Sequence, residues 1–274
     1  MSQRTAVIVA RGASQNHQHS WGNLFAEGMR RHGWNAQLSA ASGECDLLVV
    51  WSARQQSVIN AQLARGGRVC VLERGYVGDR FAWTSVSFGG GLNGRGVFHG
   101  PLDDGSRWEQ NFVNLMRSWQ GPSQGYVLIM GQVRTDFAVR GVDTLAWYAK
   151  AAEELRAKRH EVFFRQHPDE VRRRMMPQRV PGAPNLGGTL EAAMAGARRV
   201  VTFNSNSAVD SVLAGVPTVA MDQGSMAWDV TGHRVADEIT PDRQKWAKAL
   251  AWKQWGMEEF KSGDCWHHVQ AGAG

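Results

Sequence analysis

The sequence predicts an α/β protein of two lobes, each carrying a parallel sheet, with a cleft between them. Short apolar runs alternate with amphipathic stretches along most of the 274 residues, the pattern of repeated strand-helix units. The rhythm breaks at Gln120-Gly121-Pro122-Ser123-Gln124-Gly125 and restarts at Tyr126, which divides the chain into lobes of 1–124 and 125–274. Residues 200–220 spell one complete unit. A buried strand leads to the polar turn Asn204-Ser205-Asn206-Ser207, then a helix with one apolar face stopped by Gly215, then Pro217 and a second buried strand.

In the first lobe, residues 5–10 read as a strand that ends in the polar loop 11–20, and ligands bind at such strand ends in open parallel sheets. A helix follows over 21–32, with Leu24, Phe25 and Met29 inward and Gly33 as its stop. Residues 45–51 form a second strand, 57–65 a helix broken by Gly66-Gly67, and 68–73 a third strand. Glu73 places a charge at the end of that apolar strand, either as a solvated end paired with Arg74 or Arg80 or as a catalytic group. The glycine-rich stretch 75–101 contains no GxGxxG after a strand and no GK[ST], so it reads as a mobile loop and not as a dinucleotide or P-loop site. Residues 108–119 suggest a helix.

The second lobe begins with a strand at 126–130, a polar turn at 131–136 and a helix at 144–159 that turns Leu145, Tyr148, Ala152 and Leu155 inward. A strand at 161–165 closes on Gln166-His167-Pro168, where Pro168 biases His167 away from helix and holds its imidazole at the strand end. A short helix at 189–195 leads into 200–220, and Met221-Asp222-Gln223-Gly224 is a loop. A final helix over 240–260, carrying Trp246, Trp252 and Trp255, has the means to pack back on the first lobe.

Composition narrows the function. With 43% hydrophobic and 20% charged residues and no long apolar run, the chain reads as a globular protein without a membrane span. Its start lacks the apolar core of a signal peptide, so a cytoplasmic location is expected. The three cysteines, Cys45, Cys70 and Cys265, have no zinc or disulfide spacing. A net charge of +6 favours anionic partners. Of the twelve tryptophans, Trp21, Trp34, Trp51, Trp83, Trp108 and Trp119 lie in the first half, as core or as stacking surfaces for sugars or bases. No metal site is expected: Asp103-Asp104 reads as a turn, His17-x-His19 lacks a third ligand, and His267-His268 reads as tail.

The Asn204–Ser207 turn gathers backbone N–H groups, the positive end of a helix dipole and several polar side chains, a combination that either caps a helix or binds an anion. Together with Gly131-Gln132-…-Asp136, Arg165-Gln166-His167-Pro168, Asp210 and Gly215-Val216-Pro217, it resembles the donor-binding half of GT-B glycosyltransferases. The resemblance is closest to the capsule polysaccharide biosynthesis family, whose members move a sugar from a nucleotide donor. Leu48-Val49-Val50-Trp51-Ser52 is similar to that family's strand ending in Trp-Gly, and Val71-Leu72-Glu73-Arg74-Gly75-Tyr76 to its Leu-Glu-Asp-Gly-Phe segment. The likeness spans 45–222. Ser52, Arg74, Gln166 and Asp210 depart from the family pattern. Residues 251–266 resemble the end of some uncharacterised phage-encoded proteins.

The resemblance implies a GT-B-like fold of two Rossmann-like lobes and a metal-independent glycosyltransferase with no cofactor beyond a UDP- or CMP-linked sugar. It implies a donor site of Gln132, Asp136, Arg165, His167, Asn204, Ser205, Asn206, Ser207 and Asp210. The acceptor hydroxyl must lose a proton as it attacks, so a first-lobe base is expected, with Glu73 the first choice and His17 or His19 the second. Arg74, Tyr76 and Arg80 are the expected acceptor contacts. The acceptor is read as a hydroxymethylated pyrimidine in phage DNA, for which the net positive charge, Arg172-Arg173-Arg174 and Arg179 and the tryptophan-rich first lobe are suited, the protein then working in the host cytoplasm. A capsular or surface glycan is the alternative acceptor, and a non-catalytic nucleotide- or glycan-binding module the alternative to an enzyme.

Overall fold

The computed structural model describes residues 3–10, 16–121 and 125–273. The chain divides into two compact units, Met1–Phe112 with Ala247–Gly274, and Val113–Trp246. Each is an α/β layer structure of its own.

Unit 1 opens with β1 (Thr5–Val9), α1 (His17–Arg31), β2 (Asn35–Ser39), β3 (Leu47–Trp51), α2 (Gln56–Ala64) and β4 (Arg68–Arg74). β1 pairs in parallel with β2 and β3, and β3 with β4, so Ile8 faces both Leu38 and Val49 across the sheet, and Val49 faces Cys70. β1, β3 and the middle of β4 are apolar because both their faces are covered, whereas the edge strand β2 exposes Asn35 and Gln37. The segment read as a mobile loop contains β5 (Thr84–Phe88), buried at every residue and antiparallel to β4. Its Thr-Ser-Val-Ser-Phe alternation lies between glycine-rich flanks that hide it in the sequence. The helix expected at 108–119 is the short α3 (Ser106–Asn111).

Unit 2 carries β6 (Tyr126–Met130), α4 (Thr144–Ala157), β7 (Val162–Arg165), α5 (Pro168–Arg172), α6 (Leu190–Ala195), β8 (Ala197–Thr202), α7 (Ser207–Leu213) and β9 (Thr218–Ala220). Its sheet is wholly parallel in the order β7-β6-β8-β9. Side chains alternate across it, as a pleated strand requires. Val127, Ile129 and Phe164 pack with Tyr148, Ala152 and Leu155 of α4, while Leu128 and Met130 pack with Ala193 and Met194 of α6. Leu145, expected inward, is exposed: it lies roughly 60° round the helix from Tyr148, at the margin of the apolar stripe. Gly215 adopts φ +81° after α7, and a β-carbon there would collide with the Ser118 carbonyl oxygen.

That approach explains where unit 2 begins. Segment 113–121 is tied to the end of α7 through Arg117 N to Leu213 O (2.8 Å) and Gln120 N to Gly215 O (2.7 Å). The contact division therefore falls at Phe112, whereas the sequence places the joint at 124/125, and Pro122, Ser123 and Gln124 lie outside the described residues.

The chain leaves unit 2 within α8 (Gln244–Ala251) and completes unit 1 with β10 (Gln254–Trp255), α9 (Met257–Ser262) and α10 (Asp264–Val269). The single helix expected at 240–260 is broken because Gln254 is fully buried in a strand antiparallel to β5. The first sheet is thus β10-β5-β4-β3-β1-β2. Arg107 bonds to the carbonyls of Ala251 (2.8 Å) and Gln254 (2.7 Å) and forms a bidentate ion pair with Glu259. Phe260 and Trp266 join Trp21, Phe25 and Met29 in the core. The returning segment is therefore part of unit 1's interior, and burial of each such aromatic contributes about 1.5–3 kcal/mol.

Candidate functional site

Strand register decides which residues meet at the carboxyl ends. In unit 2, Met130 lies opposite Arg165 and Thr202, and Thr202 opposite Ala220. Two residues past each member of that row stand Gln132, His167, Asn204 and Asp222. The row crosses the point where connections diverge, β6 running through α4 to β7 on one side and β8 through α7 to β9 on the other. Open α/β sheets bind ligands at such a switch point.

The row is built from hydrogen bonds. Gln132 Nε2 donates to Asn204 Oδ1 (2.7 Å) while Asn204 N donates back to Gln132 Oε1 (3.0 Å). Asn204 Nδ2 donates to Asp222 Oδ1 (2.8 Å) and to Ala138 O (2.9 Å), in the turn that Asp136 caps by accepting from Ala138 N. Tyr148 reaches up from α4 to accept from Gln132 N at 2.9 Å. Gln132 and Asn204 are buried, so their amides are fixed and not free to follow solvent.

Beside them, His167 caps α5 by accepting from Asp169 N at Nδ1 (3.1 Å), which leaves the proton of the neutral ring on Nε2. Arg165 is half-buried, with Nη1 within 3.5 Å of Leu186 O. Beneath both lies Glu170, fully buried, which the sequence reading missed. Its carboxylate accepts from Arg134 N (2.8 Å), Arg134 Nε (3.1 Å), Gln166 Nε2 (3.2 Å) and Gln178 Nε2 (2.9 Å), joining the loops after β6 and β7. Burial pushes its pKa up, and these donors more than offset that, holding it below the ordinary glutamate value. An acid in the first turn of a helix looks like a dipole partner in sequence, and nothing there signals its burial.

At α7, Ser207 N donates to Ser205 Oγ (3.2 Å) and Ser207 Oγ to the same oxygen (2.9 Å). Ser205 thus takes the capping role, and α7 is only seven residues long. Asn206 is the N-cap residue with φ −63° and ψ −18°, and Asp210 sits half-buried in the first turn. The anion-binding capacity expected of this turn is shared out within it.

Unit 1 has its own switch point, between β1 and β3. Asn16 caps α1 by accepting from His19 N (3.0 Å), which sets His17 and His19, both half-buried, at the start of the helix. The His17 ring meets Trp51 edge-on at 4.8 Å and lies 5.6 Å from Trp21. Burial, and then the positive charge of Arg74, lower the His17 pKa from the ordinary histidine value. Residues 11–15 of the expected ligand loop lie outside the described residues. Ser52, where the resembling family has glycine, is buried at φ +61°, a left-handed conformation that favours glycine.

Adjacent residues of β4 point to opposite faces, which separates Glu73 from Arg74. Glu73 Oε1 accepts from Arg74 N (2.9 Å), and its charge acts on the Tyr76 phenol. The Arg74 guanidinium stacks on Phe81, 3.9 Å from the ring centroid. The two other expected acceptor contacts, Tyr76 and Arg80, are engaged within unit 1 itself. Tyr76 is 2% exposed, its phenol pushed up in pKa by burial and bonded to Ser85, while its N–H is held by Gln254 Oε1 (2.6 Å). Arg80 Nε closes the following turn on Gly75 O (2.9 Å). Both residues build the loop. Trp21, Trp34 and Trp108 are likewise core side chains, so they offer no stacking surface.

Among the described residues, no group of three or more His, Cys, Asp or Glu is placed to hold a metal ion, and no helix is long and apolar enough to cross a membrane.

No family model matches the sequence, and no curated protein matches it. Solved structures do. Two structures of KpsC from Thermosulfurimonas dismutans, a beta Kdo 2,7 transferase and a beta Kdo 2,4 transferase, match over 93% of this chain and 92% of theirs, with TM-scores of 0.55 and 0.58 at 12% and 14% identity. At that identity the likeness is one of fold: the chain is an α/β, GT-B-like protein of two Rossmann-like units, with the architecture of those transferases.

Proposed function

We propose that the protein is a nucleotide-sugar-dependent glycosyltransferase whose donor binds at the carboxyl ends of β6, β7 and β8. The observation that carries this reading is the row Gln132, His167, Asn204 and Asp222, flanked by Arg165, at the switch point of a GT-B-like unit. Arg165 and the Nε2–H of His167 supply positive and donor groups for the donor phosphate. They offset the charge that gathers there as the sugar–phosphate bond breaks. The Gln132–Asn204–Asp222 network, with Asp136, Ser205, Asn206, Ser207 and Asp210 around it, shapes the nucleoside side. A UDP- or CMP-linked donor fits this set without a metal ligand.

The acceptor and the base belong to unit 1 on this reading. A hydroxyl oxygen bonds to the anomeric carbon, its proton passes to the base, and the nucleotide leaves with the bonding electrons. His17 suits the base better than Glu73, because it stands at the switch point and its lowered pKa keeps it neutral at pH 7. For the acceptor, a glycan is favoured over a hydroxymethylated pyrimidine in DNA. The exposed Arg172, Arg173, Arg174 and Arg179 lie in unit 2 and not on the acceptor unit, and three of the first unit's tryptophans are core.

The test is turnover with a panel of UDP-, CMP- and GDP-sugars. Release of nucleotide from one of them, lost in His167→Ala, supports the reading. Binding of a nucleotide with no turnover on any donor or acceptor supports a binding module instead.

A further inference from the structure

We infer that unit 1's switch point is built to take an oxyanion, a carboxylate or phosphate carried by the acceptor sugar, between Arg74 and His17. The inference rests on the transferase reading and names the chemical class of its acceptor.

The argument begins with hydrogen bonds that are missing. Arg74 Nη1 and His17 Nε2 are both shielded from solvent, and neither has a hydrogen-bond partner among the described residues. Stacking on Phe81 engages only the flat face of the Arg74 guanidinium, whereas its N–H bonds lie in the plane and need an acceptor at the edge. A desolvated, unpaired N–H of a cation is costly, and native proteins rarely keep one without a reason. Arg74 Nη1 is such an N–H, and the unpartnered His17 Nε2 belongs to a group near enough for the Arg74 charge to act on it. The nearest carboxylate in sequence, Glu73, is engaged at Arg74 N, on the side of the strand where its charge acts on Tyr76.

The surroundings suit an acidic sugar. Trp51 stands edge-on to His17, and Phe81 is 63% exposed beside the guanidinium, so apolar surface borders both groups. An oxyanion in the guanidinium plane would satisfy Arg74 with charge-assisted bonds. His17 is then left to act on a hydroxyl of the same sugar.

Saturation-transfer NMR of the intact protein with glucuronate, glucose 6-phosphate and methyl glucoside as probes tests this. Binding of one or both acids without the neutral glucoside is expected, and the tighter acid tells carboxylate from phosphate. Arg74→Gln should weaken that binding by about tenfold or more, and Arg74→Lys by less. Nucleotide binding, measured on the same samples, reports on unit 2 and so on the transferase reading itself. If nucleotide binds while methyl glucoside binds as well as the acids, or the folded Arg74→Gln protein holds the acids as tightly as wild type, the oxyanion inference is overturned and the transferase reading stands.

Discussion

The two switch points are made of different material. In unit 2 the strand-end row is a closed network, with Gln132, Asn204 and Asp222 bonded to one another and Glu170 locking the loops beneath. In unit 1 the corresponding place is aromatic and basic, with His17, Trp51 and Arg74 beside one another and polar atoms left without partners among the described residues. A row whose polar atoms satisfy each other is preorganised, and binds by shape and a few projecting groups. One with unmet donors waits for a ligand to complete it. On the proposed reading the difference suits a division of roles, with the donor at unit 2 and acceptor selection with proton removal at unit 1.

The largest expected effect breaks unit 1's half of this division. His17→Asn should lower turnover by about 10²–10⁴-fold while nucleotide affinity is kept. Glu73→Gln, made in parallel, should be much milder; the reverse order would return the base role to Glu73. The pH profile sharpens the same point. A base must be neutral, and the His17 pKa is lowered, so activity should persist to more acidic pH than an ordinary histidine allows. The only charged group among the causes of that shift is Arg74. Arg74→Gln should therefore move the acid limb of the profile upward.

Next in size is the lock under unit 2. Glu170→Ala leaves Arg134, Gln166 and Gln178 without their shared acceptor and should cost about 3 kcal/mol, seen as a lowered thermal transition. The folded pKa of Glu170 lies below its unfolded value. Its stabilisation is therefore present above the ordinary carboxylate range and fades as pH falls through the folded value, a loss that Glu170→Gln should remove. Asn204→Ala comes third, at about 1–2 kcal/mol of stability with a matching loss of donor affinity, because it removes the acceptor of Gln132 Nε2 and one of the donors to Asp222 Oδ1. Smallest is Ser52→Gly, which relieves a left-handed backbone and should stabilise unit 1 by up to about 1 kcal/mol; a destabilised variant would show that the Ser52 side chain matters more than its φ.

Much of unit 2 was legible in the sequence because its strands are apolar runs that end abruptly in polar residues, and each ending is visible without knowing the pairing. His167 and Asn204 could be named that way, and Gln132 through the family resemblance. That they share one row with Asp222 needed the register, which no single strand reveals. β5 and β10 were hidden, the first by a threonine and two serines between glycine-rich flanks, the second because two residues cannot show a period. Gln254 decided the fate of the last helix through burial, a property set by partners far away in the chain. The burial of Tyr76 was hidden for the same reason: the resemblance of residues 71–76 suggested a ligand contact, and its phenol is buried with a hydrogen bond to Ser85.

The measurement closest to the central claim is a crystal structure with the preferred nucleotide bound. The account predicts phosphate oxygens within hydrogen-bond distance of Arg165 and His167, beside the Gln132–Asn204 pair. A phosphate held elsewhere, with those two side chains turned away from it, would contradict the assignment of the donor to unit 2.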